Sequence, residues 1–239
     1  TKPIVNYTGT VTGKPTLFDV SKPNVTIENF EMQVDLVKLS SAIIATSTDM
    51  DNITVKSNDI KAIGSSNAAY YGAYGNRNAV SINYGGPINY RVATGGVDNI
   101  IFQDNTVSGV VDDGFGMARF FRSGISVDEG SGSFTGNTAT TINHDILVRF
   151  ANGGAVTVTG NYSYGGGMEF SDFNAGSGAL TISGNNFDGT FAITYSNALR
   201  LKNNYTGRTT TVSNNTFTGF EGKVAGYGGT LSLENYQAV

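Results

Sequence analysis

Acidic side chains and the single histidine recur at one distance from a repeated asparagine. Each lies seven or eight residues after the asparagine at 105, 137 or 161, and in chain order the set is Asp112, Asp113, His144, Asp145 and Glu169. If these asparagines mark equivalent points of stacked repeats about 4.8 Å apart, the five side chains lie close together. Carboxylates beside a histidine are groups that general acid–base catalysis uses. Arg149 follows and can neutralise them.

Two kinds of chemistry and one purely structural role fit this acidic cluster. Two carboxylates about 5 to 9.5 Å apart suit glycoside hydrolysis. Oxygen ligands alone suit a bound Ca²⁺, although no metal-ligand spacing is present that would assign ligands. The structural alternative is that Asp113, which precedes Gly114, is a turn residue, and that His144 and Asp145 form an exposed corner paired with Arg149.

A tyrosine-rich segment between residues 69 and 90 is the second candidate site. Aromatic rings provide flat apolar surfaces on which sugar rings can stack. The candidate ligand-binding residues are Tyr70, Tyr71, Tyr74, Tyr84 and Tyr90.

The elements that position these residues follow from a phrase that the chain states twice. AVTVTGNYSYGG begins at Ala155 and ALTISGNNFDG begins at Ala179, so Asn161 and Asn185 occupy equivalent places 24 residues apart. Alternation of apolar residues with Thr or Ser predicts a half-buried strand, and the Gly-Asn pair predicts a turn. A strand and a corner that return at more than twenty residues are typical of a solenoid.

The same phrase recurs along most of the chain. Its apolar anchors are expected at residues 27, 55, 82, 102, 134, 158, 182, 212 and 233, about 26 residues apart on average. We therefore predict roughly 8 to 10 rungs over residues 24–236, with the corner asparagines forming a hydrogen-bonded ladder and with Phe187, Phe217 and Tyr164 stacked in the interior. Residues 1–23 carry three prolines and are expected to form an N-terminal cap or edge strands of the same single domain, 1–239.

Rungs of irregular length with asparagine at one corner resemble the right-handed parallel β-helix of pectin-lyase-like proteins. The resemblance covers about residues 24–236 and implies an all-β, single-stranded parallel solenoid. Polygalacturonase-like members of this group carry NTD, DD, GHG and RIK motifs. Only the DD pair, Asp112–Asp113, is present here, so the resemblance implies the fold and leaves the activity open.

Composition narrows the class of partner and the location. The net charge of −4 and the isoelectric point near 4.9 argue against nucleic acid, which requires clustered Lys and Arg. No apolar run approaches the roughly 20 residues of a membrane helix, so no membrane insertion is expected. The chain has no cysteine and begins at Thr1 rather than Met, which suggests a segment of a larger polypeptide. This composition is typical of bacterial or phage proteins that are extracellular or on the cell surface.

Two functions from different classes follow from these observations. In the first, the chain is a non-catalytic extracellular β-helix that acts as a surface, adhesion or glycan-binding module for a polysaccharide or cell-surface glycan. In the second, it is a polysaccharide lyase or glycoside hydrolase that uses the acidic cluster. We favour the first, without a cofactor, because no complete catalytic motif accompanies the acids.

Overall fold

The fold is a solenoid of short parallel strands, described here from a computed structural model. The structure describes residues 1–9, 16–36, 38–45, 50–63, 78–82, 84–85, 90–91, 97–109, 121, 123–128, 130–141, 144–150, 154–172, 178–191, 197–202, 208–220 and 229–234. Within these ranges the chain forms three parallel sheets, which we call sheets I, II and III, and one antiparallel hairpin.

The strands are numbered in chain order. Sheet I has seven described strands: β3 (Thr26–Glu28), β6 (Thr54–Lys56), β11 (Val97–Gln103), β14 (Gly130–Thr135), β17 (Val156–Thr159), β20 (Leu180–Ser183) and β23 (Thr210–Ser213). Sheet II has eight: β1 (Ile4–Asn6), β4 (Glu31–Asp35), β7 (Asp59–Ile63), β12 (Thr106–Ser108), β15 (Thr138–Thr140), β18 (Tyr162–Tyr164), β21 (Asn186–Asp188) and β24 (Thr216–Thr218). Sheet III has eight: β2 (Thr16–Val20), β5 (Ser41–Ala45), β8 (Asn78–Ile82), β13 (Ser123–Asp128), β16 (His144–Phe150), β19 (Met168–Asp172), β22 (Asn197–Lys202) and β25 (Gly229–Glu234). The hairpin joins β9 (Tyr84–Gly85) to β10 (Tyr90–Arg91), and a 3-10 helix spans Gly189–Phe191.

The chain visits the sheets in the repeating order I, II, III; the first described strands, β1 and β2, belong to sheets II and III, and from β3 onward each coil contributes one strand to each sheet and pairs with its equivalents in the neighbouring coils. Parallel pairing of strands that are distant in sequence closes the three sheets around one apolar interior. The prediction of an all-β parallel solenoid is therefore confirmed, while its right-handed sense stays a prediction that rests on the resemblance to pectin-lyase-like proteins.

The interior is built from side chains that stack in register along sheet I. Phe102 pairs with Phe134, Val158 pairs with Ile182, and all four side chains are completely buried. Alternation places the residues on either side of each anchor outside, where Thr157 is exposed. The period-two pattern in the sequence thus marks an inner and an outer face of one sheet.

The corner between sheets I and II is held by a ladder of buried asparagines. Asn161 Nδ2 donates to Oδ1 of Asn185 and to the carbonyl oxygen of Phe134, both at 2.9 Å. The same bonds connect the equivalent asparagines from 58 to 215 along the solenoid. The predicted ladder is confirmed, and it supplies hydrogen bonds to amides that would otherwise be costly to bury.

Two of the predicted anchors were wrong. Ile82 pairs with Ala45 and Val127, and Leu233 pairs with Leu201, so both lie in sheet III and not in sheet I. Alternation identifies a strand but does not identify its sheet, and only the Gly/Asn-Asn corner separates sheet I from the others. Because Ile82 is not a sheet I anchor, the two short rungs predicted between Val55 and Phe102 form a single coil, and these two residues pair directly.

Inward side chains are buried by the coils on either side of them. Ile182 and Leu201 are 0% and 3% exposed. In the following coil, the inward positions Val212 and Leu233 are 39% and 54% exposed. A coil therefore completes its core only when another coil covers it, as in other repeat proteins.

Candidate functional site

The described structure divides the predicted site residues into three groups. Asp112 and Asp113 lie outside the described residues, as do Tyr70, Tyr71 and Tyr74. His144 and Arg149 are backbone positions of β16, Tyr84 belongs to β9, and Tyr90 belongs to β10. The side chains of Asp145 and Glu169 are described, so their positions can be compared with the predicted acidic cluster.

Asp145 lies inside the solenoid, at the corner where sheet II turns into sheet III. Its residue exposure is 1%, and its carboxyl group accepts hydrogen bonds from the Thr141 hydroxyl at 2.8 Å and from the Ser163 hydroxyl. Backbone N–H groups of Gly166 and Gly167 also bond to it. The prediction that Asp145 lies in an exposed corner is therefore wrong.

Burial dominates the electrostatics of this carboxyl group. Removal from water raises the pKa of Asp145 from 3.8 to about 8, against the lowering effect of its four hydrogen-bond donors. The group is consequently neutral over most of the range below pH 8. This enclosed carboxyl group links β16 of sheet III to Ser163 of sheet II.

Glycine makes this enclosure possible. Gly166 lies so close to Asp145 and Thr141 that a Cβ atom would meet both side chains. Gly167 has φ of +68°, and a Cβ atom there would collide with the carbonyl oxygen of Asn197. The glycine run after Tyr164 is therefore required for the chain to pass tightly over the carboxyl group.

Glu169 lies on the outer face of sheet III, between the inward residues Met168 and Phe170. Its residue exposure is only 6%, and the Lys202 ammonium lies 2.9 Å from Oε1. The Arg200 guanidinium lies 3.4 Å from Oε2. Two cations therefore hold this carboxylate, which makes an ion-paired anchor between β19 and β22.

The predicted alignment of Asp145 with Glu169 was wrong by two positions. Leu147, not Asp145, pairs with Glu169. Five residues lie between Thr140 and Ile146, but only three lie between their partners Tyr164 and Met168, so the chain from sheet II to the paired part of sheet III differs in length between coils. Asp145 therefore bonds to interior groups, whereas Glu169 lies on the outer face.

A pair of tyrosines that was not predicted as a unit lies on the outer face of sheet II. In β18 the usual order of polar and apolar residues is inverted: Ser163 takes the inward position and is completely buried, while Tyr162 and Tyr164 lie partly exposed on either side of it. The two rings are nearly parallel, at 11°, with centroids 6.2 Å apart. Tyr164 is therefore not the interior aromatic that was predicted, although Phe187 is fully buried as expected.

The inversion in β18 has a physical cause in the interior. Asp145 requires a hydrogen-bond donor at the inward position of this strand, and Ser163 supplies it. In the neighbouring strands the same inward position is Ala139 or Phe187, and both are buried. The sequence Tyr-Ser-Tyr could have indicated that the tyrosines lie outside, because its aromatic residues occupy the positions that are polar in other rungs.

The described residues contain no group of three or more His, Asp or Glu side chains arranged to hold a metal ion. In the same ranges, no helix is both long enough and apolar enough to cross a bilayer.

Comparison of the chain with protein families, with curated proteins and with solved structures found no match. The parallel strand pairing therefore carries the fold assignment by itself, and fold alone does not assign a function.

Proposed function

We propose that the chain is a non-catalytic solenoid of the pectin-lyase-like type that acts outside the cell as a surface, adhesion or glycan-binding module. The observation that supports this most is the environment of the two acids of the predicted cluster whose side chains the structure describes. Asp145 is enclosed in the interior, and Glu169 is ion-paired to Lys202 and Arg200. A general acid or base must reach the reacting atoms, and neither carboxyl group is placed to do so.

The outer faces of the later coils favour an uncharged, hydroxyl-rich partner such as a polysaccharide or cell-surface glycan. On sheets I and II from β14 to β24, the outward positions carry hydroxyl and amide groups with one carboxylate among them. They include Ser133, Thr135, Thr157, Thr159, Thr181, Ser183, Thr138, Thr140, Tyr162, Tyr164, Asn186 and Asp188. Such groups donate and accept hydrogen bonds as sugar hydroxyls do.

A paired assay separates this proposal from the lyase or hydrolase alternative. The whole chain is incubated with neutral and acidic polysaccharides, and three readouts are recorded: retention on each polysaccharide, new reducing ends, and unsaturated-uronate absorbance. We expect retention without product. Product that is lost in Glu169→Gln, Asp113→Asn or His144→Ala would overturn the non-catalytic proposal. If neither retention nor product is observed, glycan binding is refuted as well.

A further inference from the structure

The tyrosine pair of β18 lies in a region of the outer face of sheet II that carries one charged residue, Asp188, whereas the N-terminal part of that face carries several. At the N-terminal end of the outer face of sheet II, Lys2 pairs with Asp59 at 2.9 Å and Lys61 pairs with Glu31 at 3.3 Å. From β12 onward, the outward positions of this sheet carry Thr, Ser, Tyr and Asn, and Asp188 is the one charged residue among them. A region of this kind does not attract a polyanion, and it leaves aromatic surface accessible.

The rings in this region are held in place by their neighbours. The Tyr162 hydroxyl donates to Asp188 Oδ2 at 3.0 Å, and Asp188 Oδ1 accepts the backbone N–H of Thr190 at 2.9 Å. Donors from Thr190, together with Tyr162, lower the pKa of Asp188, so its carboxylate is charged at neutral pH. An ionised acceptor that is itself fixed keeps the Tyr162 ring from rotating freely, and a site ordered in advance loses less entropy when it binds.

The strand beneath the rings is also fixed. Ser163 lies between the two tyrosines and bonds inward to Asp145, which bonds in turn to Thr141. In the adjoining coils, Phe187 and Phe217 stack with ring centroids 4.8 Å apart. Both outward tyrosines are therefore mounted on a rigid strand and not on a loop, which favours a precise binding geometry.

We propose that Tyr162 and Tyr164 form a contact site for an uncharged sugar ring of a polysaccharide. The sugar stacks its apolar C–H face on the aromatic surface, and its hydroxyls bond to the outward groups of the next coil, the exposed amide of Asn186 and the carboxylate of Asp188. Aromatic rings with adjacent polar groups suit a ligand that has both an apolar face and a hydroxyl edge. This inference rests on the glycan-binding function proposed above and specifies its site and its ligand class.

The test is calorimetric titration of the whole chain with neutral hexasaccharides of glucose, xylose and mannose, and with a galacturonate hexamer. We expect at least one neutral hexamer to bind. Tyr162→Ala and Tyr164→Ala should each weaken binding by about tenfold, the size typical of one aromatic contact. Tyr162→Phe, which keeps the ring, should weaken it by less than about threefold. The matched control is Thr106→Ala, which lies on the same outward row two coils away and should bind like the parent.

The outcomes distinguish the site from the function. Binding of a neutral hexamer that is unchanged in both alanine variants would place the site elsewhere and overturn this inference, while glycan binding would stand. Preference for the galacturonate hexamer would overturn the uncharged ligand class. Failure of every hexamer would refute the site together with the function on which it rests. Asp188→Asn leaves both rings in place and should also weaken binding, so the inference remains open to refutation if an alanine variant does not fold.

Discussion

The buried carboxyl group of Asp145 predicts a pH dependence of stability that is opposite to the usual behaviour of acidic residues. Its pKa is about 8 in the folded chain and near 3.8 when exposed. Between these values the folded chain holds a proton that unfolding releases, so a rise in pH favours unfolding. The stabilisation is complete below about pH 4, declines as the pH rises towards 8, and changes little above that.

The size of the effect follows from the size of the shift. Each unit of pKa difference corresponds to about 1.4 kcal/mol, so a shift from 3.8 to about 8 amounts to a loss of unfolding free energy on the order of 5 kcal/mol. That is a large part of the stability of a typical domain. Asp188 titrates in the opposite sense, because its lowered pKa removes stability as the pH falls.

Asp145→Asn isolates this contribution. Asparagine has nearly the same shape and stays neutral; its oxygen can replace one of the two carboxyl oxygens that Thr141 and Ser163 contact, and its NH2 group, as a donor to the hydroxyl, replaces the other. Urea unfolding of the parent and the variant is followed by far-ultraviolet circular dichroism between pH 4 and pH 9. We expect the stability of the parent relative to the variant to fall by several kcal/mol between pH 4 and pH 8. Parallel curves would show that the carboxyl group is not buried in the neutral form, and would refute the enclosure described here.

Two further predictions concern the frame that holds the site. Asn161→Ala should lower the free energy of unfolding by about 3 kcal/mol or more, because it leaves buried donors and acceptors of neighbouring coils without partners. Asn215 lies at the half-buried end of the ladder, so Asn215→Ala should lower the free energy of unfolding by less in the same urea titration. Gly167→Ala should be far more damaging than Gly160→Ala. Both glycines have φ near +65°, but a Cβ atom collides with backbone only at Gly167 and meets nothing within 4 Å at Gly160. Gly160→Ala should therefore cost about 1 kcal/mol of backbone strain, and equal losses of thermal stability would contradict the close packing of the corner.

Most of the fold could be predicted from the sequence because its determinants are local. Alternation around Val158 and Ile182 marks strands, and the Gly-Asn corner before Asn161 marks the turn. Equal spacing then implies that equivalent residues stack, as they do. Prediction was weaker for Ile82 and Leu233, since an alternating strand can belong to any of three sheets.

The candidate site was less predictable because it depends on the direction of individual side chains. Counting from the corner asparagine treats every coil as equally long, yet five residues lie between Thr140 and Ile146 and only three lie between their partners Tyr164 and Met168. That difference moves Asp145 away from Glu169 and into contact with Ser163. The register with β15 and β21 turns Ser163 inward and leaves Tyr162 and Tyr164 outside.

The sequence by itself determined that this chain is a parallel solenoid with a buried asparagine ladder, because strand alternation, turn residues and repeat length are properties of neighbouring residues. Only the tertiary structure decided which polar groups lie inside and which aromatic groups lie outside. Those directions depend on pairing between coils: Ser163 pairs with Ala139 and Phe187 and so faces inward, where it bonds to Asp145, while Tyr162 and Tyr164 lie on the outer face.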